Sequence, residues 1–200
     1  MSSKARRLAD GIAALGLEVD AQAQTQLLAF LDLVRKWNRK IRLVGDAESD
    51  QAIDVILVDS LAPLLAEDKV SGNRWVDVGS GAGLPGVVLA IARPELEIVT
   101  LEPIRKKHSF QRTARRELGL ENLDPRALRL EDFDERGFDA AISRATFAPL
   151  EWLERGAELV GPSGVVLALA NPGAELGLDC KTISYRVGQR QRLLVLSPTD

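Results

Sequence analysis

Apolar positions change their spacing once along this chain, near residue 74. Before it, Leu27, Leu28, Leu31 and Val34 recur at i, i+1, i+4 and i+7, which predicts an amphipathic helix running on toward Trp37. Ile53, Ile56, Leu57, Leu61 and Leu64 predict a second helical stretch over 53–65, interrupted at Pro63. Ser71-Gly72-Asn73 reads as a turn. Beyond it, short apolar runs predict strands at 74–78, 97–101, near 124–130, 139–143 and 164–170, separated by helices at 85–92, 104–118 and 149–160. That alternation specifies an α/β fold with a mostly parallel sheet and helices on both faces. Residues 181–187 and 192–197, joined around Gly188-Gln189, predict a closing antiparallel hairpin. The expected organisation is an N-terminal helical extension over 1–70, packed on a core over 71–200 as one structural domain.

The densest chemical signal lies where the first strand ends. In Trp75-Val76-Asp77-Val78-Gly79-Ser80-Gly81-Ala82-Gly83-Leu84-Pro85-Gly86, a short buried strand breaks into glycines and Pro85 stands where a helix would begin. A strand that restarts as a helix this way leaves a crevice at its carboxyl end, where backbone without a Cβ can touch a ligand. Glu102 follows about 20 residues later, at the end of the next strand, where an acid can accept from both ribose hydroxyls. These features point to a nucleoside cofactor. The letters Gly81-x-Gly83-x-x-Gly86 match the dinucleotide fingerprint, but the residue directly after the strand is Gly79, and Leu84 occupies the third glycine's place. Asp77 fits poorly beside a pyrophosphate and suits a ligand bearing an ammonium and a sulfonium. A glycine loop that only packs strand on helix leaves Glu102 unexplained.

Size and composition fit one globular unit: 200 residues, 46% hydrophobic and 28% charged. No run approaches the ~18–20 apolar residues of a membrane span, and the charged start lacks the apolar segment of a secretory signal, so the expected location is the cytoplasm. Cys180 and His108 are the only residues of their types, which argues against a disulfide and a zinc site; no metal is expected. Net charge is −3, yet cations cluster at residues 35–42, 105–116 and 186–192, with acids gathered at 46–54 and 131–139. On helix 104–118, Phe110, Ala114 and Leu118 should face the sheet, while Arg105, Ser109, Arg112 and Arg116 line another face. Such a column can follow a phosphate backbone or be a solvated stripe; three clusters beside a nucleoside-cofactor crevice tilt toward a phosphate-bearing substrate. Lys106 and Lys107 begin this helix next to the crevice. Trp37 and Trp75 read as core before they read as base-stacking residues.

The run D-V-G-S-G-A-G resembles the first motif of S-adenosylmethionine-dependent methyltransferases with a Rossmann-like fold. Further stretches make the resemblance specific: Asp59-Ser60-Leu61, Lys106-Lys107 with Phe110, Glu117-Leu118-Gly119-Leu120, Arg129-Leu130-Glu131-Asp132-Phe133 and Ile142-Ser143-Arg144-Ala145. With Leu84-Pro85-Gly86 they are similar to the small-subunit (16S) ribosomal RNA guanine-N7 methyltransferase family, RsmG or glucose-inhibited division protein B. The resemblance implies that Asp77, Gly79, Ser80, Gly81, Gly83, Leu84, Glu102 and Pro103 hold S-adenosylmethionine, with Arg129, Leu130 and Glu131 near the adenine. It implies catalytic roles for Arg144, which also borders the cofactor, and for Lys107. The RNA, free or in the small ribosomal subunit, is expected to meet Arg39, Arg42, Lys106, Arg112 and Arg116.

Methylation at guanine N7 needs no base, because N7 already presents a lone pair. Orientation and electrostatics can then supply most of the catalysis, which suits a chain with a single histidine. An enzyme acting on an exocyclic amine would show Asn/Asp-Pro-Pro-aromatic after the fourth strand, where this chain has Ser143-Arg144-Ala145-Thr146. Asn171-Pro172-Gly173 follows the fifth strand and reads as a turn. The chain departs from the family pattern at Arg42-Leu43-Val44, Ile56 and Ala170-Asn171, and in a short segment before the hairpin. Three functions therefore stand side by side: an rRNA guanine-N7 methyltransferase, a diverged methyltransferase for another macromolecule or a small molecule, and a cofactor-binding protein without catalysis.

Overall fold

A computed structural model describes residues 2–176 and 180–198. Among these residues seven strands form one sheet in the order β3-β2-β1-β4-β5-β7-β6. They are β1 Arg74–Val78, β2 Glu97–Leu101, β3 Leu123–Arg126, β4 Phe138–Arg144, β5 Val160–Ala170, β6 Lys181–Val187 and β7 Arg190–Pro198. The first five are parallel, and β7 and β6 close the sheet antiparallel. This is the α/β architecture with a final hairpin that the periodicities predict, and the Rossmann-like arrangement that the resemblance implies. Strand order reverses at β1, which pairs with β2 on one side and β4 on the other, so a crevice opens at their carboxyl ends.

Among the described residues five α-helices accompany the sheet: α1 Ser3–Ala14, α2 Ala21–Asn38, α3 Gly86–Ala92, α4 Arg105–Leu118 and α5 Pro149–Ala157. Helix α2 starts because the Asp20 carboxylate accepts from the Ala23 N–H at 2.8 Å, and it buries Leu27, Leu31 and Val34 as the spacing requires. Helix α1 was not singled out by periodicity: Leu8 and Ile12 alone mark its buried stripe among charged neighbours. Its Ser2 cap accepts from the Ala5 N–H, and Arg7 forks onto the Asp54 carboxylate at 3.0 and 2.7 Å. One core lies under α1–α4. The other, with Val76, Phe138 and Trp152, lies under α5.

Besides α1, several elements differ from expectation: the helix expected over 149–160 ends at Ala157, and β5 begins at Val160 rather than at 164. The stretch expected at 53–65 runs from Ile53 to Lys69 and is not α-helical: a π-helical turn, Ile53–Val58, leads into a 3-10 segment, Asp59–Lys69. Pro63 sits buried inside it without ending it; the winding there departs from the α-helix, in which a proline ring would crowd the carbonyl at i−4. The strand expected near 124–130 stops at Arg126. It is the edge strand, where Pro125 is tolerated, and the chain then turns so that Phe133 is buried and Leu130–Asp132 makes a single 3-10 turn. That turn carries Leu130 and Glu131 over the crevice instead of along the sheet.

Candidate functional site

The crevice is built mostly from backbone. Gly79 and Ser80 donate their N–H groups to the Leu101 carbonyl at 2.9 and 3.1 Å, fastening the loop after β1 to the end of β2. Gly79, Gly81 and Gly83 all have positive φ. A Cβ on Gly79 would also stand 2.3 Å from the Thr146 hydroxyl oxygen, and one on Gly86 2.5 Å from the Thr100 methyl. Helix α4 braces the loop: buried Gln111 donates to Ser80 Oγ and to the Gly81 carbonyl, both at 2.8 Å, and accepts from Thr100 Oγ1 at 2.7 Å. The Ser80 hydroxyl is thus engaged within the protein.

Two buried acids flank this loop. Glu102 accepts from the Gly81 N–H at 2.9 Å on one oxygen and from the Ile104 N–H at 2.7 Å on the other, holding loop and α4 start together. Each oxygen keeps a second lone pair for a ligand hydroxyl. Asp77 is 1% exposed; its Oδ2 accepts from the Gly86 N–H at 2.8 Å, while its buried Oδ1 has no partner among the described residues. Burial pushes the Asp77 carboxyl up to about 7, against the lowering effects of the Gly86 N–H and the nearby Arg144 charge. An unsatisfied carboxylate oxygen buried beside a glycine loop is costly unless a ligand donor meets it.

A cavity of about 210 Å³ lies against this loop. Gly79 and Pro103 form part of its floor, Arg129, Leu130 and Glu131 one wall, and Thr146 with Phe147 the other. The Arg155 guanidinium, over the Phe147 ring, reaches Glu131 at 3.0 Å across the walls. A hydrogen bond from its own backbone, and then Arg155, hold the Glu131 carboxyl below its usual range. The crevice therefore offers an apolar slot lined by backbone at Gly79, while Asp77 and Glu102 lie buried behind the loop and outside the lining of this cavity. That donor and acceptor set fits an adenosine joined to an amino acid bearing a sulfonium.

A second cleft, about 470 Å³, adjoins the loop on the side of Leu84 and Arg144. Arg144 ends β4, and its Nη1 donates to the Val55 carbonyl at 3.0 Å, Ser60 Oγ at 3.1 Å and Asp59 Oδ2 at 3.3 Å. Leu84 is thus placed beside Arg144, away from the apolar slot. Lys107, half-buried on the first turn of α4, lines neither cleft. Lys106, Arg112 and Arg116 are exposed on α4, and Arg112 and Arg116 border an open groove of about 580 Å³. Arg39 and Arg42 are exposed just beyond α2, Arg39 lying 3.7 Å from Glu48. Arg35, counted in the same cationic cluster, is instead buried: it donates to the Ala47 carbonyl at 2.7 Å and pairs with Asp32 at 3.2 Å. Trp75 is core, and Trp37 packs edge-on against Phe110 at 5.6 Å.

Asp59, in a stretch that carries the family resemblance, Arg192, in the third cationic cluster, and Tyr185, to which the sequence assigns nothing, meet behind Arg144. The available signal was an acid inside an otherwise apolar helical run, Val58-Asp59-Ser60-Leu61. Among the described residues no group of three or more His, Cys, Asp or Glu is placed to hold a metal, and no helix is long and apolar enough to cross a membrane.

Comparison with known proteins gives a consistent result. The family model GidB, rRNA small subunit methyltransferase G, matches residues 23–197. The ribosomal RNA small subunit methyltransferase G of Chromohalobacter salexigens is 44% identical over 90% of this chain and 88% of its own. That of Azoarcus sp. strain BH72 is 43% identical over 82% and 77%. Among solved structures, the O-methyltransferase TomG of Streptomyces achromogenes, in complex with SAM, aligns over the whole of both chains with a TM-score of 0.62 at 17% identity. A methyltransferase from Geobacter sulfurreducens covers 98% of both with a TM-score of 0.61 at 20% identity. At these identities the two structures speak for the fold alone.

Proposed function

The chain belongs to the rRNA small subunit methyltransferase G family, and from that premise we propose that it transfers a methyl group from S-adenosylmethionine to N7 of a guanine in small-subunit ribosomal RNA. The observation that carries the reading is the partnerless, buried Oδ1 of Asp77 beside the glycine loop, suited to the cofactor's ammonium. Glu102 serves the ribose hydroxyls, and Leu130 and Phe147 enclose the adenine, with Arg129 and Glu131 at its edge. When bound, S-adenosylmethionine supplies an electrophilic methyl on its sulfonium.

The protein's task at the reacting atoms is alignment. Guanine N7 attacks with its own lone pair, the new N–C bond forming as the C–S bond breaks and its electron pair remains on sulfur. No proton moves, so no general base is needed. Arg144, anchored through Nη1, keeps Nε and Nη2 for the substrate beside Leu84 of the loop. Lys107 at the start of α4 contributes positive potential to the approach of the RNA. The exposed cations Arg39, Arg42, Lys106, Arg112 and Arg116 provide phosphate contacts that position the RNA without reading its sequence.

The test is transfer of labelled methyl to small ribosomal subunits from a strain lacking the family's enzyme, with free rRNA in parallel. Label recovered as 7-methylguanosine is expected, with activity falling steeply as salt rises. No label, with cofactor binding measured in the same preparation, would overturn the RNA reading.

A further inference from the structure

The cleft beside Arg144 is one half of a longer trough. A second cleft of about 610 Å³ opens toward the β6–β7 hairpin, and the two share Gln51, Val55, Asp59, Arg190 and Arg192. At this junction the Asp59 carboxylate, 5% exposed, takes four donors. Tyr185 Oη donates to Oδ1 at 2.8 Å and Arg192 Nε to Oδ1 at 3.2 Å; Arg192 Nη2 and Arg144 Nη1 both reach Oδ2 at 3.3 Å. Arg192 Nη1 also donates to Asn171 Oδ1.

Two guanidiniums facing one carboxylate leave a positive charge uncompensated in a half-buried wall. Burial lowers the Arg192 pKa, but Asp59 more than reverses this, so Arg192 stays charged; the Tyr185 hydroxyl is raised, first by burial and then by Asp59, so it stays a donor. Such an arrangement is a poor way to stabilise a fold, since desolvating charges costs about as much as pairing them returns. It does fix two sets of N–H donors. Nε and Nη2 of Arg144 have no partner among the described residues.

We infer that Asp59 is a positioning residue that sets Arg144 and Arg192 side by side as donors to the O6 carbonyl of the target purine, making the cleft selective for guanine over adenine. The inference rests on the guanine reading above. On guanine's major-groove edge, N7 and O6 are neighbouring acceptors, whereas adenine presents an amine donor in place of O6. N7 must remain free to accept the methyl, so recognition of this edge falls to O6. A guanidinium donates to O6 and meets the adenine amine donor against donor. The chemistry also assigns Tyr185 a purpose: it holds Oδ1 so that Asp59 keeps both arginines in register.

The experiment measures kcat/KM on RNA carrying guanine, inosine or 2-aminopurine at the methylated position. Inosine keeps O6; 2-aminopurine lacks it. The wild-type protein should accept inosine within about tenfold of guanine and disfavour 2-aminopurine by about 10²-fold, as expected when buried donors are left unpaired. Asp59→Asn and Arg192→Gln should lose about 10²-fold on guanine but little on 2-aminopurine, while cofactor affinity by titration stays within about threefold. Tyr185→Phe, which deletes one hydroxyl, should lose a few-fold on guanine alone and serves if Asp59→Asn does not fold. Guanine methylation by the wild type with undiminished preference over 2-aminopurine in the folded variants would overturn this inference alone. A wild-type protein that methylates no RNA would overturn the guanine reading and this inference with it.

Discussion

The two halves of the site are made in opposite ways. The crevice proposed for the cofactor is short-range and backbone-built: a strand end, glycines with positive φ and two acids, all within residues 77–104 apart from its outer wall. The trough proposed for the substrate is long-range and side-chain-built: Asp59 meets Arg144, Tyr185 and Arg192 across separations of 85, 126 and 133 residues. A backbone crevice tolerates little beyond glycine where it bends, so few substitutions there can re-specify its ligand. A trough of side chains can be re-specified by single substitutions. The first should therefore respond to mutation by losing the cofactor, the second by losing choice among substrates.

The largest effect should come from Asp77→Asn. The amide cannot pair with an ammonium, and cofactor affinity is expected to fall about 10²-fold or more by calorimetric titration. The same substitution removes an unsatisfied buried carboxylate, so the melting temperature of the unliganded protein should stay level or rise. A matching fall in both quantities would show Asp77 to be structural.

Next in size is Glu102→Ala. Two backbone N–H groups, at Gly81 and Ile104, lose their acceptor. A cost of about 1–3 kcal/mol in stability accompanies a roughly tenfold or greater loss of cofactor affinity, measured by denaturant unfolding and titration. Unchanged cofactor affinity would remove Glu102 from the ribose.

The pH dependence separates the halves further. The carboxyl of Asp77 is raised from 3.8 to about 7 by burial, so the folded unliganded protein holds its proton between those values while the unfolded chain does not. Stability from this group is greatest below about pH 4, declines as pH rises toward 7 and is level above it. Binding a cationic ligand requires the ionised form, so cofactor affinity should climb through pH 6–8 and then level off. Asp77→Asn should abolish both slopes. A wild-type affinity flat across this range would contradict the charge pairing.

The smallest effect belongs to α4. Arg112→Gln with Arg116→Gln should weaken RNA binding several-fold and reduce the salt slope by about one per lost phosphate contact, with cofactor affinity unchanged. Equal salt slopes in filter-binding measurements would leave that exposed stripe simply solvated.

How much of this was legible in the sequence follows from the same contrast. The strand–helix alternation and the run from Trp75 to Gly86 are local patterns, and the parallel strands, the closing hairpin and the glycine loop follow them closely, whereas the order of the strands is set by their pairing in the sheet. The winding of the segment expected at 53–65 is not legible, because apolar spacing does not separate π and 3-10 turns from an α-helix over so few residues. The strand expected near 124–130 stopped early because its edge position, which tolerates Pro125 and lets the chain turn inward at Phe133, is a property of the sheet. Arg35 counted as a surface cation until the fold put it under Ala47. The Asp59–Arg192 contact was illegible for the same reason: no local pattern says which distant cation will face a buried acid.

The measurement that bears most directly on the account is the nucleoside content of small-subunit rRNA from a strain deleted for the family's enzyme and complemented with this chain. Mass spectrometry should show 7-methylguanosine restored by the wild-type chain and absent with Asp77→Asn. Failure to restore it with the wild-type protein present and folded, or restoration of a different methylated nucleoside, would contradict the assignment of guanine N7 as the methyl acceptor.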